Sequence, residues 1–298
     1  MKMKESIRGT VAIGLSAIMW GFDGVVLTPR LYNLDVGYVV FMLHLLPFLL
    51  MNLFLFRQYS ELKYFTRQDY VTYSLVALFG GAIGTIAIVK ALFLVQFQQL
   101  SVVVLLQKLQ PIFAITLAAV LLKEKIKRDF ALWAFVAIIS SYFLTFGLRF
   151  PDVHSDRNTI YASLLAMVAA FSFGSSTVFS KIILQRHNFI TATFFRYGFT
   201  VFFLLIYMMV LNRFDQLDKT TPQNWLFFII IGFTTGSGAI FVYYYGLKRV
   251  KAMVATISEL LFPVSAIFFD YIVNGSYLSP IQYGAAVLMI YSLIKLSK

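Results

Sequence analysis

Apolar residues run through the chain in ten blocks of roughly helix-spanning length, separated by short, charged connections. About 20 residues of α-helix cover the hydrocarbon core of a bilayer. The pattern places spans at 9–28, 36–56, 70–94, 99–122, 129–148, 159–183, 190–212, 224–247, 251–273 and 280–296. Stretches such as Ala131-Leu132-Trp133-Ala134-Phe135-Val136-Ala137-Ile138-Ile139 show no alternation of polarity, which argues for helices and against the strands of a membrane barrel. Lys2, Lys4 and Arg8 precede the first block as they would in a secretory signal. No small-residue cleavage motif follows, and the block runs on into Trp20-Gly21-Phe22-Asp23, so it reads as a retained helix.

Composition agrees: 60% of residues are hydrophobic and the mean hydropathy is +0.80, above the roughly half-apolar make-up of soluble domains. The basic residues then set the orientation. Of 25 Lys and Arg, only Arg30, Arg149, Arg157, Arg213 and Lys219 fall on one set of connections, and Lys90, Lys108 and Arg196 fall inside spans; the other 17 lie on the opposite set. The positive-inside rule places that basic set, and with it both termini, in the cytoplasm of a prokaryotic inner or plasma membrane. The formal net charge of +12 is thus a topology signal, and basic residues scattered over loop ends exclude a nucleic-acid partner. With no cysteine, disulfides and thiolate chemistry are excluded.

The two halves repeat. Trp20-Gly21-Phe22 in span one matches Phe173-Gly174-Ser175 in span six. Lys90-Ala91-Leu92 matches Tyr245-Gly246-Leu247, and Gln110-Pro111-Ile112-Phe113-Ala114 matches Phe262-Pro263-Val264-Ser265-Ala266. The expected fold is therefore all-α and polytopic, ten transmembrane helices forming two five-helix repeats: residues 1–148 and 159–298, joined by the polar connection 149–158. An odd number of helices per repeat inverts the second against the first. That layout belongs to secondary transporters, which hold substrate near the midplane between the halves.

On these motifs, together with Leu121-Leu122-Lys123-Glu124 and Arg196, the chain resembles the drug/metabolite transporter superfamily and its EamA-type ten-helix carriers. The resemblance covers essentially the whole chain. It implies a carrier of a small polar metabolite, working without ATP or any other cofactor. One departure is Val273-Asn274-Gly275-Ser276, which stands where the family often has an acidic residue like Glu124.

Polar groups inside the spans are the candidates for chemistry, because a charge in hydrocarbon needs a partner or a wet cavity. Lys90 and Asp270 lie near helix ends and can snorkel. Asp23, His44 and Arg196 form a candidate gating or structural charge cluster, with pairing between Asp23 and His44, or of either with Lys108, open. Lys108 and Glu259 lie deeper. Gln107 and Glu259 each precede a proline by four residues, which predicts that their backbone carbonyls are left free. Gln107, Lys108, Gln110 and Glu259, with Trp20 and Tyr244, are thus the expected substrate-binding set, with a plain Lys108–Glu259 ion pair as the alternative. Trp20, Phe22 and Tyr243-Tyr244-Tyr245 offer an aromatic wall able to hold a cation, which makes an amino acid or an amine the expected substrate. Glu259, as a carboxyl in the membrane interior, is the candidate for proton coupling. No Ser–His–acid set or zinc-protease motif is present, which speaks against an enzyme. A channel or lipid scramblase with the same helical layout is the alternative function. With no long docking loops, a monomer or simple homodimer is expected.

Overall fold

A computed structural model describes residues 3–95, 103, 106–150, 157–275 and 279–297. The described residues form ten apolar helices: α1 (Lys4–Leu31), α2 (Val36–Tyr64), α3 (Arg67–Leu94), α4 (Gln110–Leu121), α5 (Arg128–Phe146), α6 (Arg157–Arg186), α7 (Phe189–Val210), α8 (Pro222–Arg249), α9 (Ala252–Val273) and α10 (Pro280–Leu296). Eight of them are long and apolar enough to cross a membrane, and the shorter α4 and α10 fill the fourth and tenth positions. The first part of the expected span 99–122, and positions 151–156 of the connection between halves, lie outside the described residues.

The starts of the helices are written in local chemistry. Asp35 caps α2 by accepting from Tyr38 N at 3.2 Å, and Asn188 caps α7 by accepting from Thr191 N at 2.8 Å. Thr66 with Asp69, and Thr221 with Asn224, form reciprocal capping boxes at α3 and α8.

The halves pack crosswise. α1 lies against α8 and α9 of the second half, while α6 lies against α3 and α4 of the first; α2 pairs with α7, and α5 with α10. Glycine makes the central crossings possible. A Cβ on Gly21 would overlap Ser265 Oγ of α9 and sit 2.8 Å from Ala266 N. In the same way, a Cβ on Gly174 would sit 2.9 Å from Gln110 O and 3.0 Å from Ala114 N of α4. The repeated Gly21 and Gly174 are thus the two points where one half's first helix crosses the other half's fourth.

A second repeated feature is a widened π-turn, at Ala77–Ile83 in α3 and Gly232–Gly236 in α8. In each, a hydroxyl five residues on bonds the first glycine's carbonyl: Thr85 Oγ1 to Gly80 O at 3.1 Å, and Ser237 Oγ to Gly232 O at 2.7 Å. A further π-turn, Asp23–Leu27, interrupts α1.

Candidate functional site

Pro263 cannot donate a backbone hydrogen bond, so α9 breaks just before it. Its first segment stops at Ser258, and a tight turn at Glu259–Leu260 bonds Leu260 N to Ile257 O at 3.0 Å and Phe262 N to Glu259 O at 2.9 Å. The carbonyl of Glu259 is therefore occupied, correcting the expectation that the proline leaves it open: the chain tightens to an i+3 bond rather than leaving a gap. A matching turn at Lys108–Leu109 precedes Pro111, with Leu109 N bonding Leu106 O at 3.1 Å.

The break puts the Glu259 carboxyl between the two halves. Gln110 Nε2 of α4 donates to Oε2 at 2.7 Å, and the Tyr243 hydroxyl of α8 donates to Oε1 at 2.6 Å. Tyr243 and Thr177 hydroxyls lie 3.0 Å apart. The Trp20 ring of α1 stands 5.4 Å from the Tyr243 ring. Four helices with α6 thus meet at one carboxyl, and Gln110, Glu259 and Trp20 are only partly buried.

Toward the basic ends of these helices the packing seals. Tyr244 is wholly buried, its hydroxyl 2.7 Å from Ser180 Oγ and accepting from Arg196 Nη1 at 3.2 Å. Arg196 is 8% exposed, and its Nε has no hydrogen-bond partner among the described residues. Below this row, Lys181 Nζ donates to Leu247 O at 2.8 Å, and Arg186 and His187 contact Asp69 at 3.0 and 3.1 Å. Arg249 meets Glu5 at 3.0 Å, and Glu124 accepts from the backbone N–H groups of Ala252 and Met253 at 2.9 and 3.1 Å. The two halves are therefore tied at their basic ends.

The expected site residues separate into groups. Gln110, Glu259 and Trp20 come together, and Tyr243, expected only as part of an aromatic wall, is the tyrosine that touches the carboxyl. Tyr244 belongs to the sealed row beneath. Lys108 turns away from Glu259, donating to Ser141 O at 3.3 Å and to Thr145 Oγ1 of α5, so neither the ion pair nor a shared cavity lining forms. Gln107 is half-buried just before the turn that precedes α4.

The Asp23–His44–Arg196 cluster does not assemble as one. His44 Nδ1 bonds Val40 O at 2.8 Å and its ring lies 5.3 Å from Tyr197. Asp23 sits at the α1 π-turn beside Thr28 and Thr235. Sequence depth says how far a residue is into the membrane; it does not say which way around the helix it points, and that decided Lys108 and Tyr244. The Tyr243–Glu259 contact had one readable sign, a tyrosine triplet before a helix end.

A family model described as the EamA-like transporter family matches the chain twice, over residues 7–146 and 160–297. The chain belongs to the EamA-like transporter family. This EamA-like protein is an integral membrane transporter and not an enzyme. It is 50% identical over 297 residues to the riboflavin transporter ImpX of Fusobacterium nucleatum subsp. nucleatum, covering 99% of each chain. It is also 24% identical over 238 residues to an uncharacterized transporter of Synechocystis sp., covering 78% of this chain and 67% of that one. A solved crystal structure shares this fold, with a TM-score of 0.70 at 16% identity, covering 96% of this chain and 95% of its own.

Proposed function

We propose that this protein carries riboflavin across the membrane by alternating access, binding it at the Glu259 cluster. The observation that carries the reading is the 50% identity, over 99% of both chains, to a protein named as a riboflavin transporter. It moves the substrate from the amino acid or amine that the aromatic wall favoured to a vitamin. The cluster's chemistry suits a flavin: a flat ring with one polar edge calls for aromatic faces and a few fixed hydrogen-bonding groups. The partly exposed Trp20, packed on the buried Tyr243, supplies an aromatic face, and Gln110 and Glu259 the polar groups.

The tied basic ends fit a carrier with its cytoplasmic side shut, given cytoplasmic termini. Opening to that side means breaking the contacts that join the halves: Asp69–His187, Arg249–Glu5 and Glu124 with the start of α9. The test is counterflow in proteoliposomes. Vesicles preloaded with unlabelled riboflavin are expected to take up labelled riboflavin transiently and saturably. A leak that grows linearly with concentration and ignores the preload indicates a channel. Counterflow with an amine or amino acid but not with riboflavin overturns the substrate.

A further inference from the structure

Glu259 is held from both sides. Gln110 reaches it from the first half and Tyr243 from the second, one onto each carboxyl oxygen. A carboxylate offers about four lone-pair positions, so these two bonds, with the Thr177 hydroxyl as a third partner, fix its orientation and leave it acceptor capacity. The side chain is only partly buried, unlike Tyr244 and Ser180 in the row beneath. Beside it, the Gln110 amide carries a second N–H, since only one is needed for the bond to Oε2. The cluster therefore presents an acceptor next to a donor, with the partly exposed indole of Trp20 beside it, packed on the buried ring of Tyr243 at 5.4 Å.

The complementary ligand edge is a donor next to an acceptor on a flat ring. The isoalloxazine ring of a flavin has such an edge at its imide, where the N3–H lies between the C2 and C4 carbonyls. We propose that Glu259 and Gln110 read this imide: Glu259 accepts the N3–H, and Gln110 donates to one flanking carbonyl. This assignment rests on riboflavin being the cargo, and names the atoms by which it is chosen. It also explains why a carboxyl is fixed so firmly between the halves. A ligand that lacks the N–H leaves the carboxylate desolvated without a new partner, the situation in which sites built around hydrogen bonds discriminate most strongly.

The experiment is an equilibrium binding comparison of riboflavin with 3-methylriboflavin, read by flavin fluorescence in the detergent-solubilised full chain, for wild type, Glu259→Gln, Glu259→Ala and Trp20→Phe. Methylation of N3 is expected to weaken binding by about tenfold or more in wild type, the loss typical of a hydrogen bond to a charged group. In Glu259→Ala the penalty is expected to shrink to within about threefold, with Glu259→Gln, which keeps an uncharged acceptor, in between. In Trp20→Phe both flavins weaken together and the penalty is retained. Equal binding of the two flavins by wild type overturns the inference and leaves riboflavin as cargo. A penalty undiminished in both Glu259 variants also overturns it. Failure of wild type to bind riboflavin at all overturns the cargo reading and the imide pairing with it.

Discussion

Gly21 and Gly174 occupy crossings where neighbouring backbone, joined at Gly21 by Ser265 Oγ, fills the space a methyl group would need. Elsewhere in a helix alanine is favoured over glycine by up to about 1 kcal/mol, whereas forcing a methyl into packed surroundings costs about 1–3 kcal/mol. Gly21→Ala and Gly174→Ala are therefore expected to lower the melting temperature. Gly284→Ala, in α10 with nothing within 4 Å of its added Cβ, is expected to leave it unchanged or raise it. Thermal unfolding in detergent checks all three, and a neutral Gly21→Ala contradicts the tight crossing. The sequence displayed these glycines as the centre of a repeated tripeptide. It did not show that each repeat crosses the other half's proline helix, because that is a fact about partners far away in the chain. Glu259 was legible for a simpler reason: no snorkelling explains a carboxyl so far from a helix end. Arg196 was legible as a charge inside a span and Tyr244 as one of a tyrosine triplet, but that the two meet beside Ser180 was not, since Ser180 does not stand out among the polar residues of its helix.

At the scale of the element, helix ends and helix breaks carry the information. Glu124, in the connection after α4, accepts from the first two N–H groups of α9, so a carboxylate from one half caps the broken helix of the other and meets the positive end of its dipole. Glu124→Ala is expected to destabilise by about 1–2 kcal/mol, and Glu124→Gln by less, since an amide oxygen still accepts but carries no charge. Chemical or thermal unfolding measures the difference, and equal stability of all three proteins contradicts the cap. The family-like Leu121-Leu122-Lys123-Glu124 run pointed to the residue without revealing what it caps. The π-turns were less visible still. Gly80-Gly81 and Gly232 with Gly236 have the small-residue spacing that suits close helix packing, and Gly80 lies against Ser176 of α6. That the same segments also widen by one residue has no signature in hydrophobic spacing. The paired hydroxyls Thr85 and Ser237 are its trace, five residues after a glycine in both halves.

For the whole molecule, crosswise packing and the segregation of basic residues make separate statements. The ten helices and the doubled family match follow from blocks of apolar residues and were readable. Which face of the membrane each end occupies is still carried by Lys and Arg alone, and it is open to direct measurement because the chain has no cysteine of its own. Single-cysteine variants Lys125→Cys and Asp218→Cys are expected to react with a membrane-impermeant maleimide from opposite sides in intact cells, with only the second labelled from outside. The reverse pattern inverts the topology, and with it the proposal that the tied ends face the cytoplasm.

The crosswise packing also bears on how the protein is made. Ala17 of α1 has its bond from Ser265 of α9 across 248 residues. Ribosomes add about 5–20 residues per second, so the first helix spends on the order of ten seconds or more in the bilayer before its own lock arrives. The face around Gly21 lacks its partner throughout. A chain truncated before the ninth helix has no way to cover Gly21, and is the form that membrane proteases are expected to meet.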